Sequence, residues 1–345
     1  MSAAVGPRTS PLVTYVLPLK SPEPLGGELT DYLHRLAELL PVVVVDGSDD
    51  PVFEAHHRAW SGVVRHERVS GRTLNGKVAG VLHGCAVATT PYLVIADDDV
   101  RYDAATLQRL VMLLDEDAAV VPQNYFSPLP WHARWDSGRM LLNRAFGHDY
   151  AGTLAVRRDA VLDCGGYCGA VLFENLELLR TLTGRGHQVR HARDLFVARR
   201  PPTARHFLGQ RLRQAFDSHA QPRRQAAELA VLPVLAASWL VDRRLPLVLL
   251  SATVAAAEVG RRRDGGTAVF AADLSWWAPA WLLERGACAW GAVLTRWRGG
   301  VRYAGQRLSS AAHPVDVLAA GGCPERSCRC ETSLARGSGA ATRTA

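Results

Sequence analysis

Short apolar runs alternate with amphipathic segments through the first third of this 345-residue chain. The apolar runs cover residues 12–18, 42–45 and 92–100. The segments with apolar residues at helical spacing cover residues 28–40, 77–90 and 104–117. Strands that are apolar on both faces occur in mostly parallel sheets that are covered by helices on both sides. The alternation therefore predicts an α/β fold with a mostly parallel sheet flanked by helices.

Acidic residues follow two of the predicted strands. Asp97, Asp98 and Asp99 lie in YLVIADDDV, and Asp46 ends VVVVD. Parallel sheets bind ligands at the carboxyl ends of their strands, so the two clusters can converge on one ligand. Adjacent carboxylates repel one another unless a cation lies among them, and oxygen ligands without Cys or His nearby suit Mg²⁺ or Mn²⁺ shared with phosphate. The alternative for the triplet is an acidic turn that caps the next helix.

A glycine-containing turn lies between the two acidic clusters. In NGKVAG, residues 75–80, Lys77 stands at the start of a predicted helix. Helix N-terminal amides together with an ammonium group favour a diphosphate. Surface turns of this kind are also common, and the P-loop pattern G-x-x-x-x-G-K-[ST] is absent from the sequence. Lys77 is therefore a candidate phosphate ligand that does not belong to a P-loop.

The composition favours a folded protein with a phosphate-bearing partner. Hydrophobic residues make up 48% of the chain, which excludes wholesale disorder. The net charge of +7 favours nucleic acid, a nucleotide or an anionic membrane surface. Nucleic-acid binding lacks support, because basic and aromatic residues do not interleave in the first 200 residues. Cys323, Cys328 and Cys330 have no neighbouring His, so they match a zinc site only weakly.

The last third of the chain is apolar and rich in arginine. Its apolar regions are residues 226–241, 245–259 and 267–297. The first two are short for a membrane span, which needs ~20 apolar residues, and each contains a proline. They are short spans, a re-entrant hairpin, interfacial helices or core helices of a second soluble domain. We predict a catalytic domain over 1–222, a membrane-associated helical region over 223–309 and a disordered tail over 310–345.

Four segments, in their order along the chain, resemble the family-2 glycosyltransferases with the GT-A fold. They are VVVVDGSDD, NGKVAGVLHGCAVATTPYLVIADDDV, YAGTLAVRRDAV and FENLELLRTLTGRG. The resemblance covers residues 12–220 and is strongest to the membrane-associated, ceramide-glucosyltransferase-like branch. Those enzymes carry a basic Q-x-x-R-W-type motif before hydrophobic C-terminal helices, and RGGVRYAGQRL at 298–308 resembles a segment that follows their membrane helices.

The resemblance implies roles for residues at the predicted strand ends. Asp46 would receive the nucleobase, and the backbone at 17–19 would line the base. Asp97 and Asp99 would form the D-x-D pair that binds the metal, with Asp97 toward the ribose and Asp99 toward the metal on the diphosphate. Asp98 would be a further contact with the substrate. Gly152 and Thr153 would form the acceptor-side loop, where small residues admit a sugar hydroxyl.

Two positions depart from the family pattern. Where the family has Glu-Asp before a helix, with Asp as the general base, this chain has Glu174 and Asn175. Asn cannot accept a proton, so Glu174 becomes the candidate base. Glu177, one helical turn later, is a second candidate, and the alternative that we favour for it is an exposed residue on the helix surface. Where the basic motif ends in Trp, this chain has Gln214, although Gln210, Arg211 and Arg213 remain as candidate ligands of the diphosphate.

These patterns lead to one functional hypothesis and two alternatives. The hypothesis is an inverting glycosyltransferase that uses Mg²⁺ or Mn²⁺, a nucleotide-diphosphate sugar and a lipid-linked hydroxyl acceptor at the cytoplasmic face of the cell membrane. The missing aromatic residue at position 214 favours a single transfer over processive synthesis. The alternatives are a catalytically impaired relative that binds nucleotide-sugar or membrane as a scaffold, and a nucleotidyltransferase on a related fold. The latter normally needs a Gly-rich basic loop after the first strand, where this chain has PLKSPEP.

Overall fold

The computed structural model describes residues 12–303 and 305–320. Its strands are β1 (Val13–Leu19), β2 (Val42–Asp46), β3 (Arg65–Arg68), β4 (Tyr92–Ala96), β5 (Val100–Arg101), β6 (Ala119–Phe126), β7 (Thr153–Arg157), β8 (Val189–Arg199), β9 (Val301–Tyr303) and β10 (Gln306–Leu308). Its helices are α1 (Glu28–Ala37), α2 (Asp50–Trp60), α3 (Gly76–Val87), α4 (Ala104–Leu114), α5 (Trp131–Phe146), α6 (Arg158–Asp163), α7 (Glu174–Gly184), α8 (Ala204–Phe216), α9 (Pro222–Val241), α10 (Leu245–Arg262), α11 (Ala278–Trp297) and α12 (Val315–Ala319).

Eight strands form one sheet in the order β3-β2-β1-β4-β7-β6-β8-β5. Strands β3, β2, β1 and β4 are parallel, and so are β6 and β8. Strand β7 runs antiparallel to both of its neighbours, and β5 runs antiparallel to β8. The predicted α/β fold with a mostly parallel sheet is confirmed. The antiparallel strand in the middle of the sheet was not part of the prediction.

The predicted strand over 92–100 is divided in two. Strand β4 ends at Ala96, and the three aspartates form a turn in which the Val100 amide donates to the Asp97 carbonyl at 3.1 Å. Strand β5 then pairs with β8 at the edge of the sheet. Three adjacent carboxylates cannot enter an apolar sheet interior without partners, so the strand stops where they begin. The turn is therefore held between the centre of the sheet and one edge.

Apolar side chains cover both faces of the sheet, as the continuous apolar strands require. On one face, Val44 and Val94 join a cluster with residues of α1 and α4. On the other face, Val16 and Ile95 join a cluster with residues of α3 and α7. Because both faces are buried, the carboxyl ends of the parallel strands are left as the accessible edge.

The C-terminal helices share a core with the preceding domain. Met140 and Leu141 of α5 are buried in one cluster with Ala257 of α10 and Trp281 of α11. At Gly260 of α10, a Cβ atom would lie 1.9 Å from the Leu141 carbonyl oxygen, so only glycine lets α10 approach α5 this closely. The predicted domain boundary between residues 222 and 223 is thus crossed by shared apolar packing.

Helices α9 and α10 form an antiparallel hairpin whose end is apolar and exposed. Helix α9 is long and apolar enough to cross a membrane, by its length and composition alone, and 6% of its apolar window is buried. The exposed fractions are 54% for Trp239, 85% for Leu240 and 80% for Val241. Arg243 and Arg244 lie in the turn that follows. The hairpin therefore combines an uncovered apolar end with two adjacent cations.

The predicted disorder of the tail is wrong for residues 310–320. The amides of Leu172 and Phe173 donate to the carbonyls of Ser310 and Ala311, at 3.0 and 2.8 Å. Leu318 of α12 is buried beside α7. Leu318 packs against α7, and this contact could not be predicted from the small residues that dominate the segment. Cys323, Cys328 and Cys330 lie outside the described residues.

Candidate active site

An open cleft of about 900 Å³ lies at the carboxyl ends of the parallel strands. The cleft is lined by residues at the ends of β1, β2 and β4, at the N-termini of α3 and α7, and directly before β7. Helix α8 and the β9–β10 hairpin contribute further lining residues. The site-forming segments are thus far apart in the chain, and the sheet order brings them together.

Lys77 lies between two carboxylates in this cleft. Its Nζ is 2.6 Å from Asp97 Oδ1 and 2.9 Å from Glu174 Oε1. Asn75 caps α3, because its Oδ1 accepts from the Lys77 amide at 3.2 Å, and its Nδ2 donates to Glu174 Oε2 at 3.2 Å. Burial alone would lower the pKa of Lys77, but the charges of Asp97 and Glu174 outweigh it and raise that pKa. Lys77 is therefore held charged and in place.

Asp99 is paired with Arg199, a residue that the sequence analysis missed. Arg199 Nη2 donates to Asp99 Oδ2 at 2.6 Å, and its Nε is 3.1 Å from both carboxylate oxygens. The same guanidinium is 3.8 Å from Asp97. Burial alone would raise the pKa of Asp97, but the charges of Lys77 and Arg199 lower it by more than burial raises it. The net shift of the Asp97 pKa is therefore downward. The only sequence signal for Arg199 was its position at the end of an apolar segment, FVARR.

Asp98 lies in the cleft and is exposed. Partial desolvation and the charges of Asp99 and Asp97 raise the pKa of its carboxyl. Unlike its two neighbours, it has no ion pair with a basic residue in the described chain. The three adjacent acids therefore fall into two that are neutralised by bases and one that faces solvent.

Gly152 lies in the cleft as predicted, but the space over it is occupied by protein. A Cβ atom at this position would be 2.5 Å from Arg199 Nη1 and 2.5 Å from Asn124 Oδ1. The absence of a side chain thus lets the Arg199 guanidinium reach Asp99. Thr153 is fully buried, donates to the Ile95 carbonyl at 2.7 Å and lies outside the cleft lining. Its assignment to substrate binding is therefore wrong.

Helix α8 contributes the candidate diphosphate ligands Gln210, Arg211 and Arg213 to the lining of the cleft. Arg211 is buried and already bound, with its Nη1 3.1 Å from Asp136 Oδ1 and its Nη2 2.6 Å from Gln214 Oε1. Arg213 lies 5.1 Å from the Tyr303 ring centroid and makes no ion pair with any part of the chain that the structure describes. Arg213 is thus the α8 cation that remains available to an anionic ligand.

A further carboxylate, Asp217, lines the cleft directly after α8. Its Oδ1 is buried and has no hydrogen-bond partner among the described residues. Burial raises the pKa of Asp217 to about 7, with a further upward contribution from the charge of Glu174. No motif in the sequence pointed to this residue, because it belongs to an irregular turn.

Asp46 does not reach the cleft. It is fully buried, its Oδ1 accepts from the Ser48 amide at 2.8 Å, and its Oδ2 lies 2.7 Å from His56 Nδ1 and 3.2 Å from His66 Nε2. The three side chains have metal-ligand spacing, but their hydrogen bonds already engage them. The predicted contact with a nucleobase is wrong at Asp46, because the burial of β2 turns its carboxylate inward. Asp46 instead fixes the loop whose Gly47 lines the cleft.

Glu177 is also outside the cleft. It is fully buried, and its oxygens accept from the His313 backbone amide and lie against His313 Nδ1, each at 2.7 Å. It was assigned as a candidate base, with exposure on the helix surface as the alternative. Both interpretations are wrong, because residues 310–320 cover this face of α7. Glu177 anchors that segment.

The first strand end contributes an apolar wall. Pro18 and Leu19 line the cleft with Val45, Gly47 and Val69. Of the backbone predicted to line a base, residues 18 and 19 face the cleft, whereas Leu17 is buried in the core. Asn175 also lines the cleft, and its Nδ2 donates to the Ala151 carbonyl at 2.8 Å. Asn175 is thus engaged as a hydrogen-bond donor, a role that aspartate could not fill.

The donor chemistry of the acidic turn fits a divalent cation. Asp97 and Asp99 offer carboxylate oxygens in the cleft, which are the ligands that Mg²⁺ and Mn²⁺ prefer. Lys77 and Arg199 neutralise these oxygens in the described structure. A bound cation would therefore share the two carboxylates with these bases.

Residues 29–179 match the family model described as Glycosyl transferase family 2. Among solved structures, the chain is similar to a mannosyltransferase from Pyrobaculum calidifontis in complex with GDP-Man and Mn²⁺. The identity is 19% and the TM-score 0.47, and the match covers 82% of this chain and 88% of the mannosyltransferase. The comparison with curated proteins found no match.

Proposed function

We propose that this protein is a glycosyltransferase that moves a sugar from a nucleotide-diphosphate donor to a hydroxyl acceptor. The observation that carries the proposal is the acidic turn Asp97–Asp99 in a cleft that also holds Lys77, Arg199 and Arg213. A diphosphate needs both cations and a coordinated metal, and the cleft offers ligands for each. The family match over residues 29–179 contains this turn and supports the same reaction class.

The cleft offers a distinct surface for each part of the donor. The apolar wall of Pro18, Leu19 and Val45 suits a nucleobase. Asp97, which the family resemblance assigns to the ribose, lines the same cleft as this wall. The diphosphate would lie near Lys77 and Arg213, because these are the cations that α3 and α8 present to the cleft.

Asp97 and Asp99 would hold Mg²⁺ or Mn²⁺, which would supply positive charge to the diphosphate as it departs. Arg213, which has no carboxylate partner in the described part of the chain, would add to this neutralisation. A carboxylate of the cleft would accept the proton of the attacking hydroxyl, and Glu174 is the candidate from the sequence. Attack opposite the diphosphate would invert the anomeric centre.

A lipid-linked acceptor is supported by the α9–α10 hairpin. Trp239, Leu240 and Val241 present an apolar end to solvent, and Arg243 and Arg244 flank it. Trp beside Arg is typical of segments at a membrane interface, and arginine also attracts the anionic cytoplasmic leaflet. We therefore propose that the hairpin inserts at the cytoplasmic face of the cell membrane. Gln214 replaces a stacking aromatic residue, which favours a single transfer.

The reaction class is tested by donor binding and turnover. Thermal shift against a panel of nucleotide-sugars, with and without Mn²⁺, identifies the donor, because a ligand of the native state stabilises it. Release of nucleoside diphosphate with a polyprenyl-phosphate or glycolipid acceptor then measures transfer. Asp99→Asn should lose metal-dependent turnover, while the exposed Asp163→Asn serves as the control. If wild type binds a nucleotide-sugar but does not turn it over, the protein is a scaffold. If Asp99→Asn turns over as fast as wild type, the acidic turn is not part of the active site.

A further inference from the structure

Asp217 lies at the junction between the cleft and the C-terminal helices. It is the first residue of a short 3-10 segment, Asp217–Ala220, that joins α8 to α9. It lines the cleft that contains Glu174, and α9 begins the exposed hairpin only one turn later. Asp217 therefore lies where the chain passes from the cleft into the hairpin.

The two cleft carboxylates near α7 differ in how they are bound. Glu174 Oε1 is 2.9 Å from the Lys77 ammonium, and its Oε2 accepts from Asn75 Nδ2 at 3.2 Å. Both Glu174 oxygens are therefore already occupied as hydrogen-bond acceptors. Asp217 Oδ1 is buried and has no hydrogen-bond partner in the described chain. An unpartnered buried oxygen in a cleft is an unusual feature that calls for a ligand.

We propose that Asp217, and not Glu174, accepts the proton from the attacking hydroxyl of the acceptor. This inference rests on the proposed glycosyltransferase function. The acceptor O–H bond breaks and its proton passes to Asp217, while the oxygen electron pair forms the bond to the anomeric carbon. The bond between that carbon and the diphosphate oxygen breaks, and the diphosphate leaves with the electron pair. Glu174 then holds Lys77 on the diphosphate side.

The charges around Asp217 support this role. Burial is the largest cause of its raised pKa, and the charge of Glu174 adds to it. Arg213, Arg285 and Arg224 lower the pKa and partly offset these effects. The result, about 7, lies near neutral pH, where a general base works best. These basic groups also keep the ionised form accessible at the pH of the cytoplasm.

The test compares Asp217→Asn with Glu174→Gln, using the donor found in the panel above. Asp217→Asn should lower kcat on the order of 10²-fold or more, as removal of a general base does, and leave donor affinity within about twofold. Glu174→Gln should raise KM for the donor more than it lowers kcat, because Lys77 loses its anchor. In wild type, kcat should fall below pH 7 with a single ionisation, and Asp163→Asn should keep that profile.

The possible outcomes distinguish a wrong assignment of the general base from a wrong proposed function. If wild type transfers sugar and Asp217→Asn keeps its kcat, Asp217 is not the base. If Glu174→Gln instead loses kcat with unchanged KM, the proton goes to Glu174. A wild-type kcat that is flat between pH 5 and 8 also overturns the inference, and this measurement needs no variant to fold. If wild type neither binds nor turns over any nucleotide-sugar, the proposed function fails, and the assignment of Asp217 fails with it.

Discussion

Replacing Asp217 by Asn should stabilise the protein at alkaline pH. The pKa of the buried carboxyl is raised from 3.8 to about 7, mainly by burial. The native state therefore holds this proton up to about pH 7, whereas the unfolded chain releases it near pH 4. Between these values the unfolded state binds fewer protons, so the free energy of unfolding of wild type falls as the pH rises. The Asn variant has no such loss.

The size of the effect follows from the difference in pKa. About 3 pKa units at about 1.4 kcal/mol each give about 4 kcal/mol in favour of the Asn variant well above pH 7. At pH 5 only about 1.7 kcal/mol of this is present, because that pH lies only about 1.2 units above the pKa of the unfolded chain. The advantage of Asp217→Asn over wild type should therefore grow by about 2.5 kcal/mol between pH 5 and pH 8.

Urea unfolding in detergent, followed by tryptophan fluorescence, measures this difference at the two pH values. The nine tryptophans of the chain provide the signal. Comparing variants at each pH cancels the titration of every other group. Asp163→Asn, which removes an exposed carboxylate, controls for the loss of one charge. If Asp217→Asn gains the same free energy at pH 5 and pH 8, the carboxyl of Asp217 is not perturbed and the argument from its burial is refuted.

Three further changes test other parts of the site and its surroundings. Gly152→Ala should displace Arg199 and lower kcat by about tenfold with a loss of less than about 1 kcal/mol in unfolding free energy, and unchanged kinetics would contradict the contact. Glu177→Gln should destabilise the fold by about 1–3 kcal/mol, because it weakens the hydrogen bonds to His313, and should leave kcat of the folded protein unchanged. Lost turnover in a variant of unchanged stability would instead identify Glu177 as a catalytic residue. Leu240→Asp should weaken co-sedimentation with vesicles of anionic phospholipid, while Leu39→Asp, at an exposed leucine outside the hairpin, should not; equal binding by both variants would exclude the hairpin.

Local patterns predicted the elements that carry the site. Continuous apolar runs and helical spacing identified β1, β2, β4, α1, α3 and α4 because each pattern is contained in a single short segment of the chain. The acidic turn and Lys77 were found in the same way, since each follows directly from a strand end or a helix start. The rule for parallel strands also predicted that the two acidic clusters converge on one ligand, which is wrong because Asp46 is buried away from the cleft. The partner that Asp97 does have is Lys77, whose Nζ is 2.6 Å from its Oδ1.

Partners that lie far apart in the chain were not predicted. Arg199 is 100 residues beyond Asp99, and their pairing depends on the register of β8 against its neighbours. Asp217 lies in an irregular turn without a sequence signal. Asp46 and Glu177 were assigned to the site by their positions in motifs, but both side chains are buried away from the cleft. A sequence gives the direction of a side chain only relative to its own strand or helix.

The amino-acid pattern by itself determined the class of sheet and the edge at which anionic groups collect, because those properties depend on the order of apolar and polar residues within single segments. Tertiary structure alone decided which carboxylates are neutralised, which are buried and which keep an unpartnered oxygen. Those properties depend on the desolvation and charge that distant segments impose, and both change steeply over a few ångströms. The acidic turn and Lys77 could thus be predicted from the chain, while the protonation and the roles of the side chains in the site depend on how it folds.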